Sequence, residues 1–386
     1  LIPPFSDFLV YLVGACAVSA PVHLLLRVWL RPLLPAGFPP RWPWLLLALL
    51  FPLGMLGLLC MNVLPRPVAG PLSWLCFSWL GLCYFLLVAA LLSSLCSWLW
   101  PQVGRRQTRA LCTGLAMATA LFSTYQALRP PTVVWQRVEL TRWPAQYSGF
   151  RIAHISDLHV GATIGRRHVQ TVVDLINAQA VDVVLITGDL VDGSVAALGP
   201  ELQPLARLRS RYGTFVALGN HEYFSPTEDW VRFLPSLGIT VLRNQHQALP
   251  PCDLVGIDEW SAPEFTPAHA PDLQAALSGR DPRRPAIVLV HQPQAMAALR
   301  QRNRQALQAG LPPVADLQLS GHTHGGQIAP LGLLARYQQG QLDGLSQADG
   351  LTVHVTPGTG YWGPAMRLGS RAEVSILELH GPRPPS

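Results

Sequence analysis

Hydrophobic positions follow one pattern up to about residue 130 and another after it. In the first third, apolar residues run almost unbroken over 8–26, 44–64, 72–100 and 110–128. A helix needs about 20 mainly apolar residues to cross the hydrocarbon core of a bilayer. The pattern therefore predicts about four transmembrane helices, the first interrupted by Pro21 and His23. Trp42, Trp44, Trp98 and Trp100 stand near the ends of these runs, where indole rings favour the headgroup layer.

Beyond residue 130 the apolar runs are short, and each ends in polar residues. "RIAHIS" (151–156), "VDVVLITGD" (181–189), "TFVALGNHE" (214–222), "AIVLVHQP" (286–293) and "ADLQLSGHTHGG" (315–326) read as buried strands. "RRHVQTVVDLINAQ" (166–179) and "LQPLARLRSRYG" (202–213) have helical spacing between them. Strands alternating with helices predict an α/β domain with a largely buried sheet. The expected organisation is a transmembrane helical region over 1–129, a linker and first strand over 130–150, and the α/β domain over 151–380.

Charge sharpens the first pattern. Up to Arg129 there are eight arginines and one acid; the remainder holds twenty arginines and twenty-one acids, and lysine is absent throughout. The basic balance thus belongs to the apolar third, and no nucleic-acid partner is expected for the near-neutral remainder. Arg27, Arg31 and Arg41 fall between the first two runs, and Arg105, Arg106 and Arg109 between the last two. Arginine-rich loops stay cytoplasmic. The expectation is a multi-pass inner-membrane protein with both termini, and so the α/β domain, on the extracytoplasmic side. Six of seven cysteines lie in the apolar third, so Cys252 has no disulfide partner within the α/β domain.

The strand ends carry the chemistry. Asp157 and His159 follow the first strand, Asp189 ends the second, Asn220 and His221 follow the third, His291 ends the fourth, and His322 and His324 follow the fifth. Sites in open α/β sheets form at the carboxyl ends of strands. A set of oxygen and imidazole donors without thiolate suits Mn, Fe or Zn. One ion cannot use so many groups; two ions sharing a carboxylate can.

These residues resemble the calcineurin-like metallophosphoesterases, in particular a membrane-associated bacterial branch. The family pattern of D-x-H, G-D, G-N-H-E, a lone His and G-H-x-H appears in order as "DLH", "GD", "GNHE", His291 and "GHTH". The resemblance implies a β-sandwich of two mixed sheets flanked by helices (α/β/β/α). It implies a first metal held by Asp157, His159 and His324, a second held by Asn220, His291 and His322, and Asp189 bridging both. It also implies a phosphate monoester or diester hydrolase in which a metal-activated hydroxide attacks phosphorus. His221 would act on the phosphate or leaving group, with Asp192 to orient it. The serine/threonine phosphatase branch has an arginine where Gly193 stands here, which argues against a phosphoprotein substrate. Two substrate classes stay open: a soluble ester, or a phospholipid or lipid-linked phosphate in the membrane itself. The competing reading is a catalytically weak metal-binding scaffold at the membrane.

Other polar residues read as structural. His154 is expected to pack inside its strand, His168 to lie on a solvated helix face, and Glu222 to hold its loop. Arg280, Arg283 and Arg284 read as a surface loop. Tyr361, Trp362 and Arg367 are candidates for a wall of the substrate pocket.

Overall fold

The computed structural model of the chain describes residues 20–34, 66–265 and 269–382. They fall into two compact units. One ends at Leu128 and also includes Gly363–Arg367; the other begins at Arg129.

In the first unit, residues 20–30 are helical, and two long helices follow, α1 (Arg66–Leu99) and α2 (Arg105–Leu128). Among the described residues, α1 is the one helix long and apolar enough to cross a membrane; its most apolar stretch has a hydropathy of 2.3. Its 34 residues reach about 51 Å, more than the hydrocarbon core requires. The fourth predicted run forms α2, which is less apolar because its first turns carry Arg105, Arg106 and Arg109. Along α2 the buried residues Ala116, Ala120, Ser123 and Ala127 recur at helical spacing and are all small, which lets it pack closely on α1. The run over 44–64 and most of the run over 8–26 lie outside the described residues. Within this unit the Arg367 amide donates to the Ser123 carbonyl at 2.9 Å, and the Arg367 side chain is fully buried.

The second unit is a sandwich of two six-stranded sheets. The first has the order β1-β12-β2-β3-β4-β5, with β1 Thr132–Glu139, β2 Phe150–Ile155, β3 Val183–Ile186, β4 Thr214–Val216, β5 Ile239–Val241 and β12 Glu373–His380. The second has the order β10-β11-β9-β8-β7-β6, with β6 Gln245–Ala248, β7 Asp253–Gly256, β8 Ala286–Leu289, β9 Leu317–Ser320, β10 Gly344–Ala348 and β11 Leu351–Val355. The centres of both sheets are parallel, β2 through β5 in one and β7, β8, β9, β11 in the other. Parallel strands with both faces covered explain why these runs read as continuously apolar.

Alternation along each strand builds two layers of core. Val183 and Leu185 of β3 meet Ile287, Leu289, Leu317 and Leu319 between the sheets. Val288 of β8 faces outward, in a second cluster with Leu299 of helix Met296–Gln308. Helix α3 (Arg166–Asn177) buries Val169, Val172, Val173 and Ile176, the stripe that its spacing predicts. The mixed sheets and flanking helices are those of the implied sandwich.

Candidate metal centre

All nine predicted site residues come to one rim at the carboxyl ends of β2, β3, β4, β8 and β9. Three overlapping groups have donor atoms within 4.8 Å of one another: Asp157 with His159 and His324, His159 with Asp189 and His221, and Asp189 with His291 and His322. Asn220 joins the third group through its Oδ1, 3.2 Å from His322 Nδ1. His159 Nε2 and His324 Nε2 lie 3.0 Å apart, and His322 Nδ1 lies 3.2 Å from His291 Nε2. Asp189 Oδ2 lies 3.7 Å from His159 Nε2 and 3.2 Å from His291 Nε2, between the two imidazole pairs.

The backbone explains how the side chains converge. Asp157, His159, Asp189, His322 and His324 all have left-handed backbone, with φ of 54°, 48°, 53°, 71° and 52°. Each such residue costs about 1–3 kcal/mol, and strain of this kind collects at functional sites. The glycines of the motifs serve close approach. A Cβ on Gly219 would lie 2.2 Å from Asp189 Oδ1, and one on Gly321 would lie 2.3 Å from Asp157 Oδ2. The adjacent loops thus crowd onto the two carboxylates, which only glycine permits.

Glu222 ties two of these segments together. It is buried, and its carboxylate accepts from the amides of Gly219 (2.7 Å), Asp189 (3.0 Å) and Leu190 (2.7 Å). The expectation that it holds its loop understates the role, because it also holds the Asp189 loop. Asp157 accepts from the His322 amide (3.0 Å), and Asp189 from the His221 amide (2.9 Å).

The donor set fits divalent cations. His159 Nδ1 donates to Asp192 (2.8 Å) and His291 Nδ1 donates to the Thr187 carbonyl (2.6 Å), so in each ring Nε2 is the nitrogen turned toward the rim. Ligating histidines are fixed in this way. Burial and the neighbouring His291 lower His322 to about 3, so its imidazole stays neutral. Burial opposes ionisation of Asp189, but His291 and His221 beside it hold its carboxyl well below the usual range. His221 differs. Burial would lower it, but Asp189 and Asp192 raise it to about 9, and its Nδ1 lies 2.7 Å from Asp192 Oδ1. Asp192 therefore spans His159 and His221. The Phe224 and Trp362 rings stand 4.8 and 5.7 Å from the His221 ring.

Several expectations change. Of the predicted wall, Trp362 stands beside His221, and Arg367 is a buried residue of the helical unit. His168 is not simply solvated, since its Nε2 lies 3.0 Å from the Thr359 carbonyl. Arg280 and Arg284 turn inward to Asp253 at 3.2 and 2.8 Å, and only Arg283 remains exposed. A second carboxylate lies beyond the motifs. Glu259, just past β7, is fully buried; its Oε1 accepts from Gln292 (2.5 Å) and Ser261 Oγ (2.8 Å), and its Oε2 has no partner among the described residues. The sequence signal was available, because "IDE" follows the apolar run "DLVG" as the other site residues follow theirs.

A family model described as "Calcineurin-like phosphoesterase" matches residues 150–326. A Danio rerio protein named "Transmembrane protein with metallophosphoesterase domain" is 35% identical over 365 residues, which are 88% of this chain and 81% of that protein. A Bos taurus protein of the same name is 37% identical over 284 residues, 70% of this chain and 62% of its own length. An uncharacterized metallophosphoesterase of Helicobacter pylori is 35% identical over 256 residues, 66% of this chain and 65% of that protein.

Proposed function

The chain belongs to the calcineurin-like metallophosphoesterases, and from that membership we propose a membrane-anchored phosphoesterase that works through two divalent metal ions. The observation that carries the proposal is the position of Asp189 between the His159–His324 pair and the His291–His322 pair. Asp157, His159 and His324 would hold one ion, Asn220, His291 and His322 the other, and Asp189 both. Mn, Fe or Zn suit these donors. When bound, such ions polarise phosphoryl oxygens and lower the pKa of a coordinated water.

The protein's own groups supply the rest. His221 is raised toward its charged form, against the effect of burial, by Asp189 and Asp192. It can thus hold a proton at Nε2 for a departing alkoxide. Asp192 fixes the opposite nitrogen, which selects the tautomer and aims the ring. Phe224 and Trp362 flank that ring and restrict water around the leaving group.

The membrane reading rests on α1 and on the names of the vertebrate relatives. Only residues 129–131 separate α2 from β1, a tether of about 10 Å. A substrate resident in the bilayer, a phospholipid or lipid-linked phosphate, is the class this anchoring favours. The extracytoplasmic side follows from the arginine-rich loops.

The test is hydrolysis of p-nitrophenyl phosphate mono- and diesters by the full chain with added Mn²⁺, before and after chelation, followed by phospholipid vesicles. Chelator-sensitive turnover supports the proposal. No turnover of any ester with the metals restored would leave the scaffold reading. A reporter fused after Ser386 that is active only in the cytoplasm would reverse the topology.

A further inference from the structure

The helix that follows the metal loop is inside out. Helix α4 (Gly332–Gln339) has the sequence GLLARYQQ, and its buried residues are Gly332 and Gln339. Its apolar side chains point away from the protein: Leu333 is 73% exposed, Leu334 59% and Tyr337 87%, with Leu331 before it at 50%. Gln339 instead faces inward and accepts from the Gln294 amide at 3.4 Å. A helix packed on a domain in water places its apolar stripe toward the core. Here the polar residue takes that position and four large apolar groups are turned out.

The patch is fixed to the metal rim. A Cβ on Gly326 would lie 2.4 Å from Gly332 Cα, so the start of α4 is packed directly against the loop that carries His322 and His324. Two further exposed rings, Phe224 and Trp362, stand beside His221 in the same unit. Residues 328–342 contain no acid and one base, the exposed Arg336. Apolar side chains with a basic residue and no acid suit an anionic lipid surface, where the apolar groups enter the acyl boundary and the guanidinium meets phosphate. The same chain carries α1, so a bilayer is the apolar phase at hand.

We propose that the outer face of α4 seats on the bilayer surface and holds the metal rim at the headgroup layer, in reach of lipid phosphate esters. This deepens the membrane reading above and rests on it. The occupant is lipid, not a second copy of the chain, because the patch has a base with no acid to meet it across a self-complementary contact.

The test reads contact and not turnover. The photoreactive residue p-benzoylphenylalanine replaces Tyr337, and in a second protein Leu334, in the full chain reconstituted into phosphatidylcholine and phosphatidylglycerol vesicles. A control carries the same residue in place of Arg283, whose side chain is 87% exposed in the same unit. After irradiation, peptides bearing the mass of a phospholipid are expected at both α4 positions in roughly tenfold excess over the control, as for a face buried in the headgroup boundary. Equal yields at all three positions would overturn the proposal, and so would adducts to a second copy in place of lipid. Lipid adducts from a protein that hydrolyses only soluble esters would keep the docking face and remove the lipid substrate.

Discussion

Two groups of buried imidazoles lie in the same unit, and they differ in backbone position and in their carboxylate partners. His154 sits within β2, its Nδ1 2.9 Å from His354 Nδ1 of β11 and its Nε2 2.9 Å from Thr187 Oγ1. Among the described residues, no carboxylate is bonded to either ring. Burial, together with His354, lowers His154 well below its usual range, and burial lowers His354 to about 3. Five residues after His154, His159 stands beyond the strand end, has left-handed backbone and meets Asp192 at 2.8 Å. A side chain inside a strand must pack across the sandwich. One just past the strand is free to converge with others on a common point. Backbone position, more than residue identity, separates the structural histidines from the ligand candidates, and the carboxylates complete the difference.

The comparison is broken most severely by removing the carboxylate at its centre. Asp189→Asn should reduce turnover by about 10³-fold or more, the loss expected when several kcal/mol of metal-assisted stabilisation disappear. Metal analysis of the purified variant should return one ion or none, and the fold should survive because only strand-end loops change. Two tightly held ions in this variant would contradict the bridging assignment.

His221→Ala should keep both metals and lose about 10²-fold in turnover. The loss should shrink for p-nitrophenol esters, whose leaving group needs little protonation. An equal loss for good and poor leaving groups would restrict His221 to phosphate binding.

Glu222→Ala tests the support beneath the rim. Its carboxylate holds amides from two loops, so removal should weaken metal affinity by about 10–100-fold, the scale of lost outer contacts. Titration against a chelating dye measures this. Unchanged affinity would show that the glycine contacts alone hold the loops.

The smallest effect on activity belongs to the buried pair. His154→Leu with His354→Leu should change turnover on soluble esters by less than about twofold, a surface-like loss for groups that never touch the rim. Its signature is in stability. Both rings are neutral when folded, and each takes up a proton when unfolded below about pH 6.5. Stability is therefore full above that pH and falls as the pH drops toward 3, by about 1.4 kcal/mol per unit for each ring. The double variant should flatten that slope in melting curves between pH 4.5 and 6.5, within the roughly two-unit window below the unfolded value. A large loss of turnover would erase the distinction between the clusters and make Thr187 a link from core to rim.

Most of the rim was legible because each motif follows directly on an apolar run. Asp157, Asp189, Asn220, His291 and His322 all stand two to four residues past a strand end, and a strand end is a local feature of sequence. What stayed hidden depends on partners far away. The His154–His354 bond joins residues 200 apart, and Arg284 turns to Asp253 across 31 positions. Glu259 had the local signal but no family motif to draw attention to it. In the helical unit, α1 was legible from apolar length alone. The outward leucines of α4 were not legible either, since periodicity shows that a face exists but not which way it points.

The edge of the first sheet has a consequence for how the protein is made. β1, the first strand after α2, has β12 as its neighbour in the sheet, and the Thr132 side chain bonds to Ala372, 240 positions later. At the usual 5–20 residues per second, a ribosome takes roughly 10–50 s to supply that partner. Throughout that interval "TVVWQRVE" is an unpaired strand that begins four residues after the end of α2. Exposed edges of this kind mispair and aggregate. Biogenesis is therefore most vulnerable after α2 is finished and before the last strand arrives, and a chaperone that shields β1 in that interval would raise yield without altering the finished protein.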